Sequence, residues 1–145
     1  AVNILLVGNN PIELSSMLDT IKKIPGGNVM TEIAFDLTSI GQRLLNFRPN
    51  FILIDDNIGV TILTQTVERL SSNPKTRDIP ITVLKNSNYS GSVVSNDIMD
   101  YVLKRNLTSE ALLKSLGNSL KFKRTRQLVM IAIKKRPNRL LGLMF

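Results

Sequence analysis

Phe51-Ile52-Leu53-Ile54-Asp55-Asp56-Asn57 is the stretch on which the fold turns. Four apolar residues in a row, with no polar residue alternating among them, make a strand buried on both faces, and such strands belong to parallel sheets covered by helices on either side. The run delivers Asp55 and Asp56 to its carboxyl end. Downstream, Val60, Leu63, Val67 and Leu70 recur at helical spacing. Upstream, Arg48-Pro49-Asn50 ends a helix carrying Leu37, Ile40, Leu44 and Leu45, and Val29–Phe35 reads as a strand before it. The chain opens with another continuous apolar run, Asn3–Val7, closed by the turn residues Gly8-Asn9-Asn10-Pro11. Leu14, Met17, Leu18 and Ile21 then predict a helix that starts at a proline and stops at Pro25-Gly26-Gly27. Beyond the third helix, Ile79–Leu84 and Ile98–Leu103 read as a fourth and a fifth strand, with a weak helix over Ser92–Asp97 between them. Thr108 caps a last helix with Leu113, Leu116 and Leu120 on one face. Five strands alternating with helices predict an α/β fold, a doubly wound five-stranded parallel sheet.

Composition narrows the chemistry. The 145 residues include no cysteine, histidine or tryptophan. That excludes disulfides, thiolate or imidazole zinc sites, a cysteine nucleophile and a Ser-His-Asp relay. Any chemistry rests on carboxylates, amines or hydroxyls, and no enzyme activity is expected. The longest apolar stretches fall far short of the roughly 18 residues of a membrane span, and no signal peptide opens the chain. The expectation is a soluble, cytoplasmic protein.

The net charge of +8 is uneven. All eleven acidic residues lie between Glu13 and Glu110, and residues 1–120 carry equal numbers of both signs. The excess resides in residues 121–145, which hold Lys121, Lys123, Arg124, Arg126, Lys134, Lys135, Arg136 and Arg139 without an acid. A balanced domain over 1–120 and a basic, amphipathic extension over 121–145 are the expected organisation. If the last helix continues to Arg136, the apolar turn Leu128–Ile133 between basic clusters wants burial, against a second copy, a downstream domain or a membrane surface. Nucleic acid is a further candidate partner, because clustered lysine and arginine suffice for phosphate contacts.

In open parallel sheets, ligands bind beyond the carboxyl ends of the strands. The residues emerging there are Gly8, Asn9 and Asn10, then Asp55 and Asp56, then Lys85, then Lys104. With the phrases Ile4–Pro11, Arg48–Asp55, Arg77–Pro80 and Asp100–Lys104 in this order, residues 3–120 resemble the receiver domain of two-component response regulators, in an atypical variant. The resemblance implies a flavodoxin-like (βα)5 fold with an extended basic C-terminal helix. It places the phospho-accepting position at Asp55, the phosphoryl-contacting lysine at Lys104 and the switch aromatic at Tyr101. Three positions depart from the family pattern. Gly8 and Asn9 stand where two adjacent acids help hold magnesium, Lys85 replaces a hydroxyl residue, and Arg105 replaces a proline. Amide-bearing neighbours are poor ligands for a hard cation, so magnesium at Asp55 is expected to be weak and no other cofactor is implied. Lys85 and Lys104 are expected to reach the aspartates and replace the metal's charge.

The resulting expectation is a signalling module of a phosphorelay that acts through protein contact without phosphorylation. Its partners would be a histidine kinase or another signalling protein, or a second copy through the fifth-strand face or the last helix. Two rival expectations are a competent receiver phosphorylated on Asp55 and a DNA-binding regulator acting through the tail.

Overall fold

The computed structural model describes residues 2–26, 28–86, 97–119 and 121. The predicted weak helix at 92–97, apart from Asp97, and the basic tail beyond Lys121 lie outside the described residues, as do Lys123, Arg124, Arg126, Lys134, Lys135 and Arg136.

Strands β1 (Val2–Val7), β2 (Val29–Ala34), β3 (Phe51–Asp55), β4 (Ile81–Lys85) and β5 (Asp100–Leu103) alternate with helices α1 (Pro11–Lys22), α2 (Leu37–Leu44) and α3 (Val60–Ser72). A fourth helix, α4, runs through residues 109–119. All four strand pairings are parallel, in the order β2-β1-β3-β4-β5. The chain order reverses between β1 and β3, so the carboxyl ends of these two strands flank the crevice that such sheets use for ligands. No described helix is long and apolar enough to cross a membrane.

Side chains alternate between the two faces of a strand, and this parity sorts the core into two layers. Leu5, Val7, Ile52, Ile54, Ile81 and Val83 pack under α2 and α3 through Ile40, Leu63, Val67 and Leu70. Ile4, Leu6, Phe51, Leu53 and Leu84 pack under α1 and α4 through Leu14, Met17, Ile21, Leu112 and Leu116. Phe51 through Asp55 is completely buried, as the unbroken apolar run requires.

Some boundaries and faces differ from the sequence reading. Regular pairing of β4 begins at Ile81 because Pro80 has no N–H to give the ladder, although its carbonyl accepts from Ile52 at 3.0 Å. β5 begins at Asp100, after Met99 N–H has already reached the Ile81 carbonyl at 2.8 Å. In α4, Leu113 is 44% exposed, and the buried face is Leu112, Ser115, Leu116 and Ser119. Two of those four are serines, which a count of apolar residues passes over. Ser115 Oγ donates to Asp100 Oδ2 at 3.0 Å and lies 3.5 Å from Thr82 Oγ1, so its burial is compensated. Leu45 and Val60 are also exposed, since each sits at or beyond the end of its helix.

The start of α1 positions an acid at the strand ends. Asn10 Oδ1 accepts from the N–H groups of Ile12 (3.0 Å) and Glu13 (3.2 Å), and Pro11 occupies the first helical position. This cap places Glu13 in the first turn, beside the carboxyl ends of the strands. Asn10→Ala is expected to cost about 1 kcal/mol of unfolding free energy in urea titration, with Asn10→Asp retaining most of it.

Candidate functional site

Asp55 is the last residue of β3, and its side chain has no solvent exposure. Its Oδ1 accepts from the Asn57 N–H at 3.0 Å, which caps a short 3-10 turn over Asp56–Ile58. Gly59 ends that turn at φ 93°, a left-handed conformation open to glycine at little cost, and α3 starts immediately after it.

The ammonium of Lys104 forms an ion pair with Asp55 Oδ1 and a second with Glu13 Oε2. Lys104 is 15% exposed and Glu13 is 34% exposed, so the charged groups run from a closed floor at Asp55 to a half-open rim at Glu13. Burial pushes the Asp55 carboxyl above the usual aspartate range, outweighing the pull of Lys104 and the Asn57 N–H. The hydrogen bond from Lys104 draws the Glu13 carboxyl below its usual range. Burial disfavours the Lys104 charge, yet its hydrogen bonds to Asp55 and Glu13 prevail and carry it above the usual lysine range. Asp55 Oδ2 is buried and accepts no hydrogen bond among the described residues.

Lys85, expected beside the aspartates, lies elsewhere. Its ammonium sits 5.4 Å from the centroid of the Tyr101 ring, a cation-π arrangement, and the ion pair of Asp55 is made with Lys104 instead. Strand parity supplies the reason. Asp55 pairs with Leu84, and Lys85, one residue on, follows the Val83 face toward α2 and α3. Lys104 follows the parity of Val102, which faces α1 and α4, and that side also holds Glu13. Tyr101 is half-buried and packs against the α2–α3 layer.

Asp56 is partly exposed and accepts from the Asn86 N–H at 3.2 Å, tying the end of β4 to the turn after β3. Gly8 is buried, and a Cβ placed on it would lie 2.9 Å from Leu14 Cδ2 and 3.2 Å from Asp55 Cβ. Its smallness lets β1 pass close to Asp55. Asn9 is exposed. The sequence reading therefore locates Asp55 and Lys104, which the structure joins, and misses Glu13, an acid in the first turn of an ordinary helix.

Seen from the strand ends, the donor set does not suit a divalent cation. The two positions after β1 offer a glycine and an exposed amide, and a lysine ammonium already bridges the two carboxylates that face each other. Among the described residues, no group of three or more metal-binding side chains comes together.

The fold has clear likenesses among solved structures. The receiver domain of a sensor histidine kinase from Pseudomonas aeruginosa PAO1, with magnesium coordinated in its active site cleft, superposes with a TM-score of 0.71 at 18% identity, covering 83% of this chain and 98% of that one. This chain has the receiver-domain fold. The N-terminal domain of a response regulator receiver protein from Methanoculleus marisnigri JR1 gives 0.60 at 24% identity, covering 80% and 94%. The chemotaxis response regulator CheY4 of Vibrio cholerae gives 0.62 at 18%, covering 81% and 98%. No protein-family model and no curated protein matches the sequence. With the receiver fold, the Asp55–Lys104 pair occupies the crevice beyond the strand ends, the position at which this architecture binds ligands.

Proposed function

We propose that this chain is a receiver-like signalling module of a two-component pathway that acts by protein contact, with its phospho-accepting position locked by an internal cation. The observation carrying this reading is the Lys104 ammonium bridging Asp55 and Glu13 in a receiver fold that lacks the acid pair after β1. Phosphoryl transfer in such a site depends on positioning and on neutralising charge, much of it by a divalent cation. Here the Asp55 carboxylate is buried and its counter-charge is already supplied, so the pocket has one stable electrostatic state. The face formed by β4, β5 and α4, with Tyr101 beneath the Lys85 ammonium, is the surface we assign to a histidine kinase or other signalling partner in the cytoplasm.

Intact-protein mass after incubation with magnesium and a small-molecule phosphodonor tests the reading. No adduct is expected on the wild-type chain or on Asp55→Ala. A phosphoryl adduct on the wild type that disappears in Asp55→Ala would show a live site and overturn the proposal.

A further inference from the structure

The amino ends of β3 and β4 frame a cleft of about 990 Å³, at the opposite pole of the sheet from Asp55. The turn from α2 into β3 lines one side of it and the turn from α3 into β4 the other. Leu44, Phe47 and Ile79, which pack on the α2–α3 layer, give it an apolar lining, and Leu45 at its edge is 80% exposed. Arg48 and Lys75 also line the cleft, with no acid beside them, and neither forms an ion pair among the described residues.

The hydrogen bonds of the lining leave donors over. Asn50 Oδ1 accepts from the Asn3 N–H at 2.9 Å, and Asn73 Oδ1 accepts from the Lys75 N–H at 2.9 Å. An N–H partner fixes which amide atom is the oxygen, so each asparagine keeps the two N–H donors of its Nδ2. The Arg48 carbonyl accepts from Asn3 Nδ2 at 3.1 Å, and the Asn73 carbonyl accepts from the N–H groups of Thr76 (3.0 Å) and Arg77 (2.8 Å). The acceptors are engaged within the protein, while two amides, a guanidinium and an ammonium still have protons to give.

We propose that this cleft binds a small organic phosphate, its phosphoryl group held by Arg48 and Lys75 and its apolar body laid against Phe47 and Ile79. Ionised phosphate oxygens accept hydrogen bonds, which matches a donor-rich lining, and they outnumber the two oxygens of a carboxylate. The volume lies at the upper end of the roughly 300–1,000 Å³ typical of small-molecule sites. The segment 121–145, with eight basic residues and no acid, has the wrong sign to fill it. Such a site is separate from the crevice at Asp55 and would give the module a small-molecule input of its own.

The test is a titration of the isotope-labelled 145-residue chain, followed by backbone amide NMR shifts. The probe is naphthyl phosphate, with inorganic phosphate and naphthol as its two halves. Saturable shifts are expected along residues 44–50 and 73–79, and each half should bind at least about tenfold more weakly than the whole. Combining Arg48→Gln with Lys75→Gln, both at exposed positions, should weaken the probe at least about tenfold. Asn73→Asp keeps an oxygen for the Lys75 N–H but exchanges the free donor for a negative charge, and it should weaken the probe as well. Absence of saturable binding, or shifts centred on Asp55 and Lys104, would overturn the proposal. So would equal binding by either half, or an unchanged affinity in the folded double variant. Should that variant fail to fold by circular dichroism, Asn73→Asp decides by the same criterion.

Discussion

Lys104→Met is expected to destabilise the chain by about 3–4 kcal/mol at pH 7, measured by urea unfolding. Removing one member of a buried ion pair leaves the other uncompensated, which typically costs about 3–5 kcal/mol. Asp55 has an escape that sets a ceiling, since it can take up a proton. Protonating a carboxylate with an ordinary pKa near 4 costs about 4 kcal/mol at pH 7. In the variant, the folded-state pKa of Asp55 lies above its unfolded value, so stability falls as pH rises through that interval, and the penalty should shrink at pH 5. Methionine keeps most of the apolar stem, so lost packing contributes little. Asp55→Asn should cost far less, because Lys104 keeps Glu13 and some exposure to water. Combining Asp55→Asn with Lys104→Met should recover most of the loss. A Lys104→Met penalty that is small, or unchanged between pH 7 and pH 5, would mean that the pair contributes little to holding Asp55 buried.

Gly8→Asp, which restores an acid after β1, is expected to lower stability by about 1–3 kcal/mol through overpacking alone. The new Cβ would meet Leu14 Cδ2 at 2.9 Å and Asp55 Cβ at 3.2 Å. Leu14 is 3% exposed, so its methyl group can yield only by displacing the core beneath α1. The added carboxylate beside Asp55 would raise the cost further by like-charge repulsion. Gly8→Ala isolates the steric part, and the exposed Asn9→Asp should stay within about 0.5 kcal/mol of wild type. If Gly8→Ala is neutral in urea unfolding, the close approach of β1 to Asp55 is not tight. The glycine is thus built into the packing around Asp55, and an acid at this position requires Leu14 to shift with it.

The sheet is legible because β1 and β3 carry continuous apolar runs closed by turn residues, and Phe51–Asp55 is as buried as that pattern demands. Asp55 and Lys104 are legible for the same reason, since each lies at or directly beyond the end of a strand. Lys85 is misplaced by a list of residues at strand ends, because such a list ignores parity. One residue beyond Leu84, the chain points to the other face. Glu13 is hidden by a different limit. An acid in a first helical turn is so well explained by the helix dipole that nothing in its spacing suggests a contact 91 residues away. The buried serines of α4 escape notice because hydrophobic periodicity cannot see a polar group such as Ser115, whose partner is on a strand.

The ion pairs of Lys104 also bear on how the chain assembles as it is synthesised. Strands β1, β3 and β4 are complete by residue 85, and these three can already pair side by side. Asp55 would then sit at the centre of a nascent sheet with its counter-ion still unmade. Burying Asp55 without its counter-ion is costly, so closing the sheet around it is favoured only once Lys104 is in place, and a single charge thereby couples the final strand to the first helix.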